Sequence, residues 1–209
     1  MRNIININQD WLFVKDTTDI TLRTGEAINL PHSFNAIDGQ DGGNDYFRGS
    51  CLYVKTLKKA DLPTADRYYL EIRGANSSAD VYLNGEHLAH HDGGYSTWRV
   101  NLTPSLKAGD NELAIIVDNA PNDTVYPQMA DFTFYGGLYR DVYIVTVADT
   151  HFDLDYFGAP GIKITPEIVE TNAKVEVEVF VKNVTEGQKI VYTLYDKEEN
   201  EIQKIETTD

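Results

Sequence analysis

A single cysteine, Cys51, stands in the 209-residue chain, which excludes an internal disulfide framework and a thiolate metal cluster. It lies in a strand-like run and reads as buried and structural. Positive charge is scarce: 18 Lys and Arg face 33 Asp and Glu, a formal charge of -15. Phosphate backbones and anionic membrane surfaces repel such a chain, so nucleic acid is not expected as a partner. No run approaches the ~20 apolar residues that a membrane helix needs, and Met1-Arg2-Asn3-Ile4-Ile5-Asn6-Ile7 lacks the apolar stretch of a signal peptide. No membrane partner is expected, and unless a leader has been removed the expected location is cytoplasmic. Sustained helical periodicity is missing from the first 150 residues, and so are a Gly-x-Ser-x-Gly elbow, a phosphate-cradling Gly-rich loop with Lys and a dinucleotide fingerprint. The five histidines, with His90-His91 adjacent, lack the i, i+4 spacing with a carboxylate that a helical zinc site uses, and they sit in turn-prone sequence.

What is present is alternation. In Tyr68-Tyr69-Leu70-Glu71-Ile72-Arg73 one side carries Tyr68, Leu70 and Ile72 and the other Glu71 and Arg73, the pattern of a strand with one face buried. Ala79-Asp80-Val81-Tyr82-Leu83 runs through Asn84-Gly85 into Glu86-His87-Leu88, and Asn-Gly between alternating runs predicts a tight hairpin. Leu113-Ala114-Ile115-Ile116-Val117 is nearly all apolar, as in a strand covered on both sides, and the Leu102 to Asn111 stretch before it is rich in turn residues. Many short strands punctuated by Gly, Pro, Asn and Asp argue for an all-β chain built as a β-sandwich of jelly-roll type.

At 209 residues the chain exceeds the roughly 100–150 residues most common for one domain. Composition shifts near Ala148-Asp149-Thr150, which predicts a first domain over 1–148 and a second over 149–209. Lys174 to Asn183 alternates valines with charges, and Lys189 to Asp196 repeats the pattern after a Glu186-Gly187 turn. An immunoglobulin-like sandwich takes about 100 residues and seven strands, whereas Thr150 to Asp209 leaves room for about four. The second unit therefore reads as a partial sandwich with an open edge that invites strand pairing between molecules.

Each candidate chemical group has a plainer reading. Asp38-Gly39-Gln40-Asp41-Gly42-Gly43-Asn44-Asp45 could bind a hard cation through oxygen or reach toward a sugar, but it departs from an EF-hand, with Gly49 at the twelfth position, and a solvated turn is the simpler account. Asp92-Gly93-Gly94-Tyr95 reads as a turn. Thirteen tyrosines mostly suit half-buried strands, against the alternative of a sugar platform built from Trp98, Tyr126, Phe134 or Tyr135. The four Asn-x-Ser/Thr triplets at Asn76, Asn101, Asn122 and Asn183 are of a kind that arises by chance and are set aside.

Ordered blocks carry a further signal: Leu30-Pro31-His32-Ser33-Phe34-Asn35, Gly42-Gly43-Asn44-Asp45-Tyr46-Phe47-Arg48-Gly49-Ser50-Cys51-Leu52-Tyr53, Val81-Tyr82-Leu83-Asn84-Gly85 through Gly93-Gly94-Tyr95, Gly109-Asp110-Asn111-Glu112-Leu113-Ala114, Val117-Asp118-Asn119 and Gly136-Gly137-Leu138-Tyr139-Arg140-Asp141-Val142. Together, over about residues 10–148, their order and spacing resemble the amino-terminal sugar-binding domain of glycoside hydrolase family 2, with the Gly-Gly-Asn-Asp-Tyr loop leaning to the β-galactosidase branch. The resemblance implies a galactose-binding-like jelly roll, an immunoglobulin-like domain and then a TIM barrel holding two catalytic glutamates, of which this chain would carry the first and part of the second.

Retaining hydrolysis needs two carboxylates about 5–5.5 Å apart on a rigid frame, and no residue of this chain is assigned to either role. By the same resemblance Asp131 corresponds to an aspartate that contacts substrate and a sodium ion, and Asn44 and Asp45 lie in a loop reaching toward the sugar. Arg140-Asp141 reads as a structural pair closing a strand end. The fragment itself requires no cofactor, while sodium or magnesium is implied for the parent enzyme. The implied partners are a β-galactoside-like carbohydrate, the missing TIM-barrel domain of the same parent chain, and further copies in a homo-oligomer. The competing readings are an autonomous carbohydrate-binding module and a purely structural β-sandwich adaptor.

Overall fold

The computed structural model describes residues 2–38, 45–130, 132–170 and 172–208. The protein is all-β, and among the described residues only two short 3-10 turns, Lys59–Asp61 and Thr103–Ser105, are helical. No helix among them is long and apolar enough to cross a membrane.

Among the described residues ten strands build the first sandwich: β1 (Asn3–Asn6), β2 (Trp11–Val14), β3 (Glu26–Ile28), β4 (Ser50–Lys58), β5 (Arg67–Ile72), β6 (Ser78–Leu83), β7 (Glu86–Asp92), β8 (Trp98–Asn101), β9 (Asp110–Asp118) and β10 (Val142–Val147). They form an antiparallel six-stranded sheet in the order β3-β2-β4-β9-β6-β7 and a four-stranded sheet in the order β1-β10-β5-β8. These crossovers make the predicted jelly-roll sandwich.

The period-two pattern places the core. Trp11, Phe13, Cys51, Tyr53, Val81, Leu83, Leu113, Ile115 and Val117 from the larger sheet meet Tyr68, Leu70, Ile72, Trp98, Val100, Val142 and Ile144 from the smaller. Residues one step out of phase on β4 and β9, namely Leu52, Val54, Ala114 and Ile116, point to the opposite face, where Leu12, Val14, Ile20 and Tyr82 cover them. That second covered face is why β9 is apolar at nearly every position. The Asn84-Gly85 hairpin forms as expected, with φ of 54° and 85° at the two turn residues, and the Asn84 amide also reaches Ser105 O and the buried Asn111. Burial pushes the Cys51 thiol up to about 11, in keeping with a structural cysteine.

One expectation needs correction. The Glu71 face of β5 was read as the polar side, yet Glu71 is only 3% exposed. The chain after β10 crosses this face: Leu154 packs with Tyr69, Val145 and Val147, and Arg99 lies between, donating to Glu71 at 2.7 Å and to the carbonyls of Leu154 and Ala159. Burial raises the Glu71 pKa, but the guanidinium groups of Arg99 and Arg73 outweigh it and hold the carboxyl below its usual range.

Beyond β10 the described strands pair two by two: β11 (His151–Phe152) with β14 (Val181–Lys182), β12 (Ile162–Val169) with β13 (Asn172–Val179), and β15 (Ile190–Tyr195) with β16 (Glu201–Thr207). Apolar and charged positions alternate as expected, Ile164 facing Val177 across the ribbon and Lys163 facing Glu178. The apolar sides of the two long ribbons line an open trough of about 400 Å³ through Ile162, Ile164, Val177, Val191, Leu194 and Ile205. A larger hollow of about 740 Å³ separates the ribbons from the first sandwich.

Candidate functional site

Residues of four of the sequence blocks singled out above, 30–35, 45–53, 117–119 and 136–142, far apart along the chain, converge at one end of the first sandwich around two buried asparagines. Asn35 Oδ1 accepts from Gly136 N at 2.7 Å and from Asn119 Nδ2 at 3.1 Å, while Asn35 Nδ2 donates to Phe47 O and Asp38 Oδ2, each at 2.9 Å. Asn119 Nδ2 also donates to Phe47 O, and its Oδ1 accepts from Gly49 N. Both asparagines are fully buried. An amide offers two donors and two acceptors, so a pair of them can satisfy the backbone of three loops at once where apolar side chains would leave those groups unbonded. His32 N donates to Leu138 O, Ser33 Oγ donates to Gly136 O, and His32 Nδ1 lies 2.9 Å from the Tyr53 hydroxyl. Burial lowers the His32 pKa, against a smaller opposing pull from Glu26, so this imidazole serves the core as a neutral ring.

The glycines are explained by crowding. A side chain at Gly136 would enter the Phe34 ring, and one at Gly137, whose φ is +124°, would strike the His32 carbonyl. Asn76 extends the frame through backbone hydrogen bonds in both directions with Gly137. Its amide donates to Tyr135 O at 2.7 Å and accepts from the Tyr126 hydroxyl at 2.6 Å.

Two described stretches without strand leave this frame, 36–38 with 45–48 and 120–130 with 132–135. The second presents a run of rings: Tyr126 stacks on Tyr95 at 5.1 Å and 17°, and Phe132 lies 4.8 Å from Phe134. Tyr95, Met129, Phe132 and Tyr135 are exposed, whereas Phe134 and Trp98 are core. Of the suggested platform residues, therefore, Tyr135 faces solvent and Tyr126 is half-buried. Trp98 is stacked under His91 at 4.7 Å. The Gln128 amide is buried, and neither its oxygen nor its nitrogen has a hydrogen-bond partner among the described residues.

Asn44 and Asp131, the two other residues given a site role by resemblance, and the loop residues 39–44 as a whole, lie outside the described residues. Asp45 is described: it is exposed and its Oδ1 accepts from Tyr46 N at 2.9 Å, a local turn bond. Asp38 and Asp118, the carboxylates that touch this frame, act as acceptors. Burial raises Asp38, but Asn35, Phe47 N–H and Lys15 outweigh it and hold it low. Asp118 accepts from Ser50 Oγ and Ala120 N. Arg140 and Asp141 are structural as expected, though they do not act as a pair. Arg140 donates to the carbonyls of Arg73 and Tyr95, and Asp141 accepts from Asn8 and Tyr143. Among the described residues no group of three or more His, Cys, Asp or Glu is placed to hold a metal ion.

Asn35 and Asn119 were visible in the sequence only as members of quoted blocks, and nothing local marked them as the hub. Asn76 stood out only as the start of an Asn-x-Ser triplet, and Gln128 not at all.

The family described as glycosyl hydrolase 2 galactose-binding domain-like matches residues 45–134. A putative β-glucuronidase of Formosa agariphila is 34% identical over 186 residues, covering 86% of this chain and 22% of that protein. A β-galactosidase of Thermoanaerobacter pseudethanolicus is 26% identical over 224 residues, covering 98% of this chain and 30% of that protein. The crystal structure of an FMN-binding β-glucuronidase from Facaelibacterium prausnitzii L2-6 superposes with a TM-score of 0.87 at 39% identity, covering 99% of this chain and 32% of the other. The chain thus spans about a fifth to a third of the length of these relatives. Matched along its blocks, its fold and most of its length, this chain belongs to glycosyl hydrolase family 2, whose galactose-binding-domain-like unit it carries.

Proposed function

We propose that this chain is a non-catalytic amino-terminal part of a longer family 2 glycosidase, and that its loop end shapes the sugar pocket of a catalytic domain it does not itself contain. The observation that supports this reading is the hub of Asn35 and Asn119, which ties four of the family's blocks together and takes Asp38 and Asp118 as structural acceptors. Retaining hydrolysis needs one free carboxylate to attack and a second to exchange a proton with the leaving oxygen. In this reading Asp131, Asn44 and Asp45 reach toward the sugar, and Asp131 also contacts a sodium ion in the parent enzyme.

The substrate class proposed is a β-linked hexopyranoside. Relatives named as β-glucuronidases and as β-galactosidases both match, so the galactosidase leaning of the Gly-Gly-Asn-Asp-Tyr loop stays part of the proposal. Residues 149–209 are proposed as part of an immunoglobulin-like sandwich whose apolar trough is covered by other strands of the parent, and further copies in a homo-oligomer as neighbours.

The test is incubation of the chain with chromogenic β-galactoside and β-glucuronide. Turnover at the level of a blank is expected, and turnover well above it would sink the proposal. A carbohydrate-binding module is the second reading, favoured by the exposed rings of Tyr95, Phe132 and Tyr135. Calorimetry separates the two, because a Kd tighter than about 1 mM for the isolated chain, or roughly -4 kcal/mol, supports the module.

A further inference from the structure

The edge hairpin of the six-stranded sheet carries a cluster of histidines and carboxylates that the sugar-pocket reading does not use. β6 and β7 pair in register from Ser78 with Asp92 to Val81 with Ala89, then shift so that Tyr82 faces His87, leaving Leu88 as an extra residue. In an unbroken strand residues 87 and 90, three apart, would point to opposite faces. The bulge turns both to the outer face, where His87 Nε2 and His90 Nδ1 lie 2.8 Å and 3.0 Å from one oxygen, Asp80 Oδ1. The other nitrogen of His90 lies 3.1 Å from Asp92 Oδ1. An imidazole that meets a carboxylate at each nitrogen makes both hydrogen bonds only when both nitrogens carry protons, which is the charged form.

The network does not stop at the hairpin. Asp92 Oδ1 also accepts from Ser78 Oγ at 2.6 Å, and Ser78 Oγ accepts from Asn122 Nδ2 at 3.2 Å. Asn122 Oδ1 in turn accepts the backbone N–H of Thr124 at 2.9 Å and of Val125 at 3.1 Å. Thr124 and Val125 lie in the stretch that carries Tyr126, Gln128 and Met129.

We infer that His90 is a pH-dependent clasp: in its charged form it ties β6 to Asp92 and thereby steadies the stretch over 120–130 at Asn122, and on losing its proton it releases one of those bonds. The charged or titratable groups around its ring are Asp80 on β6, Asp92 on its own strand, His87 across the shared Asp80 oxygen with Tyr82 against it, and His91 on the inner face against Trp98. Burial lowers the His90 pKa, but the carboxylates of Asp80 and Asp92 outweigh it and the net shift is upward. His91 moves the other way: burial lowers it, and Gly93 and Asp92 only partly oppose this. A group raised in the folded state stabilises fully below its unfolded value of about 6.5 and loses that contribution as pH rises through the folded value. The clasp therefore holds below the unfolded value and loosens as pH rises through the raised folded one, while the neighbouring His91 is shifted the opposite way.

The test is a histidine and amide NMR titration of the whole 209-residue chain over about pH 5 to 9, where imidazoles change charge, beside the variants His90→Gln and Asp80→Asn. The His90 midpoint should lie above the free imidazole value and fall in Asp80→Asn, with His91 below it. Exchange protection of the Thr124 and Val125 amides, corrected for intrinsic rates, should be about threefold higher at the acid end, the size of effect that an exposed ion pair reaches. That pH dependence should vanish in His90→Gln. A His90 midpoint at or below the free value overturns the clasp, and so does loop protection that is flat with pH or changes equally in His90→Gln. The measurement needs no sugar, so its outcome is separate from that of the sugar-pocket proposal.

Discussion

The two parts of this chain, up to Gly161 and after it, are written in the same period-two alphabet and reach opposite ends of the burial scale. Up to Gly161 the alternating strands close two sheets over a shared core and cover parts of both outer faces. After Gly161 no described residue is buried, and Ile164, Ile168, Val191, Leu194, Ile202 and Ile205 stand about half exposed or more. The difference lies in partners rather than in pattern. A strand's apolar side is stabilised only when a second layer removes it from water, and the ribbons face an open trough where the first sandwich has an opposing sheet. Contiguous apolar surface of this kind marks an interaction face.

The sharpest way to break this comparison is inside the part up to Gly161, where the Leu154 segment covers the outer face of β5. Glu71→Ala leaves the Arg99 guanidinium, 6% exposed, buried without its nearest anion, and should cost about 3–5 kcal/mol, read as a fall in the urea midpoint. The same pair sets a pH dependence. Because the folded Glu71 pKa is depressed, its contribution is present above the unfolded carboxylate value of about 4.3 and is lost as pH falls through the folded one. Acid titration of stability should therefore be shallower in Glu71→Gln than in the parent chain.

Next comes a matched pair of truncations. Ile115→Ala, at the fully buried centre of β9, should lose about 2–5 kcal/mol. Ile205→Ala, 52% exposed on β16, should stay within about 0.5 kcal/mol. Equal losses would mean that the ribbons hold a buried layer after all. At the loop end, Asn119→Ala removes one of the two hub amides and leaves Gly49 N–H and Phe47 O short of a partner. A loss of about 1–3 kcal/mol is expected, with the larger effect seen as faster amide exchange in the 45–49 segment.

Smallest of all, Gln128→Met replaces an amide that finds no partner among the described residues with an apolar chain of similar length. Stability should hold or rise by about 1 kcal/mol, since an unmet buried polar group costs more than it returns. A marked fall in the melting temperature would show that the amide has a partner in solution.

Alternation made the strands legible, Asn-Gly located the hairpin, and the doubly apolar Leu113 to Val117 run announced a strand with both faces covered. Glu71 misled because a charged residue in an alternating strand is ordinarily on the wet side, and nothing within Arg67 to Ile72 records that Arg99 and the Leu154 segment will cover it. The site was less legible than the fold. Its blocks were recognisable by order, yet the joint role of Asn35 and Asn119, 84 positions apart, depends on contacts that no local pattern encodes. The bulge at Leu88 was equally hidden, and without it the pairing of His87 with His90 would be forbidden by strand geometry.

By itself the amino-acid order determined the strand content, the turn positions, the acidic surface and membership in the family, since each is written in spacings of a few residues or in totals along the chain. Only the tertiary structure decided which apolar faces are dry, which carboxylates are held as structural acceptors, and which imidazole sits between two acids. Those outcomes depend on what lies within a few ångströms, and hydration and charge respond to that neighbourhood whatever the separation along the backbone.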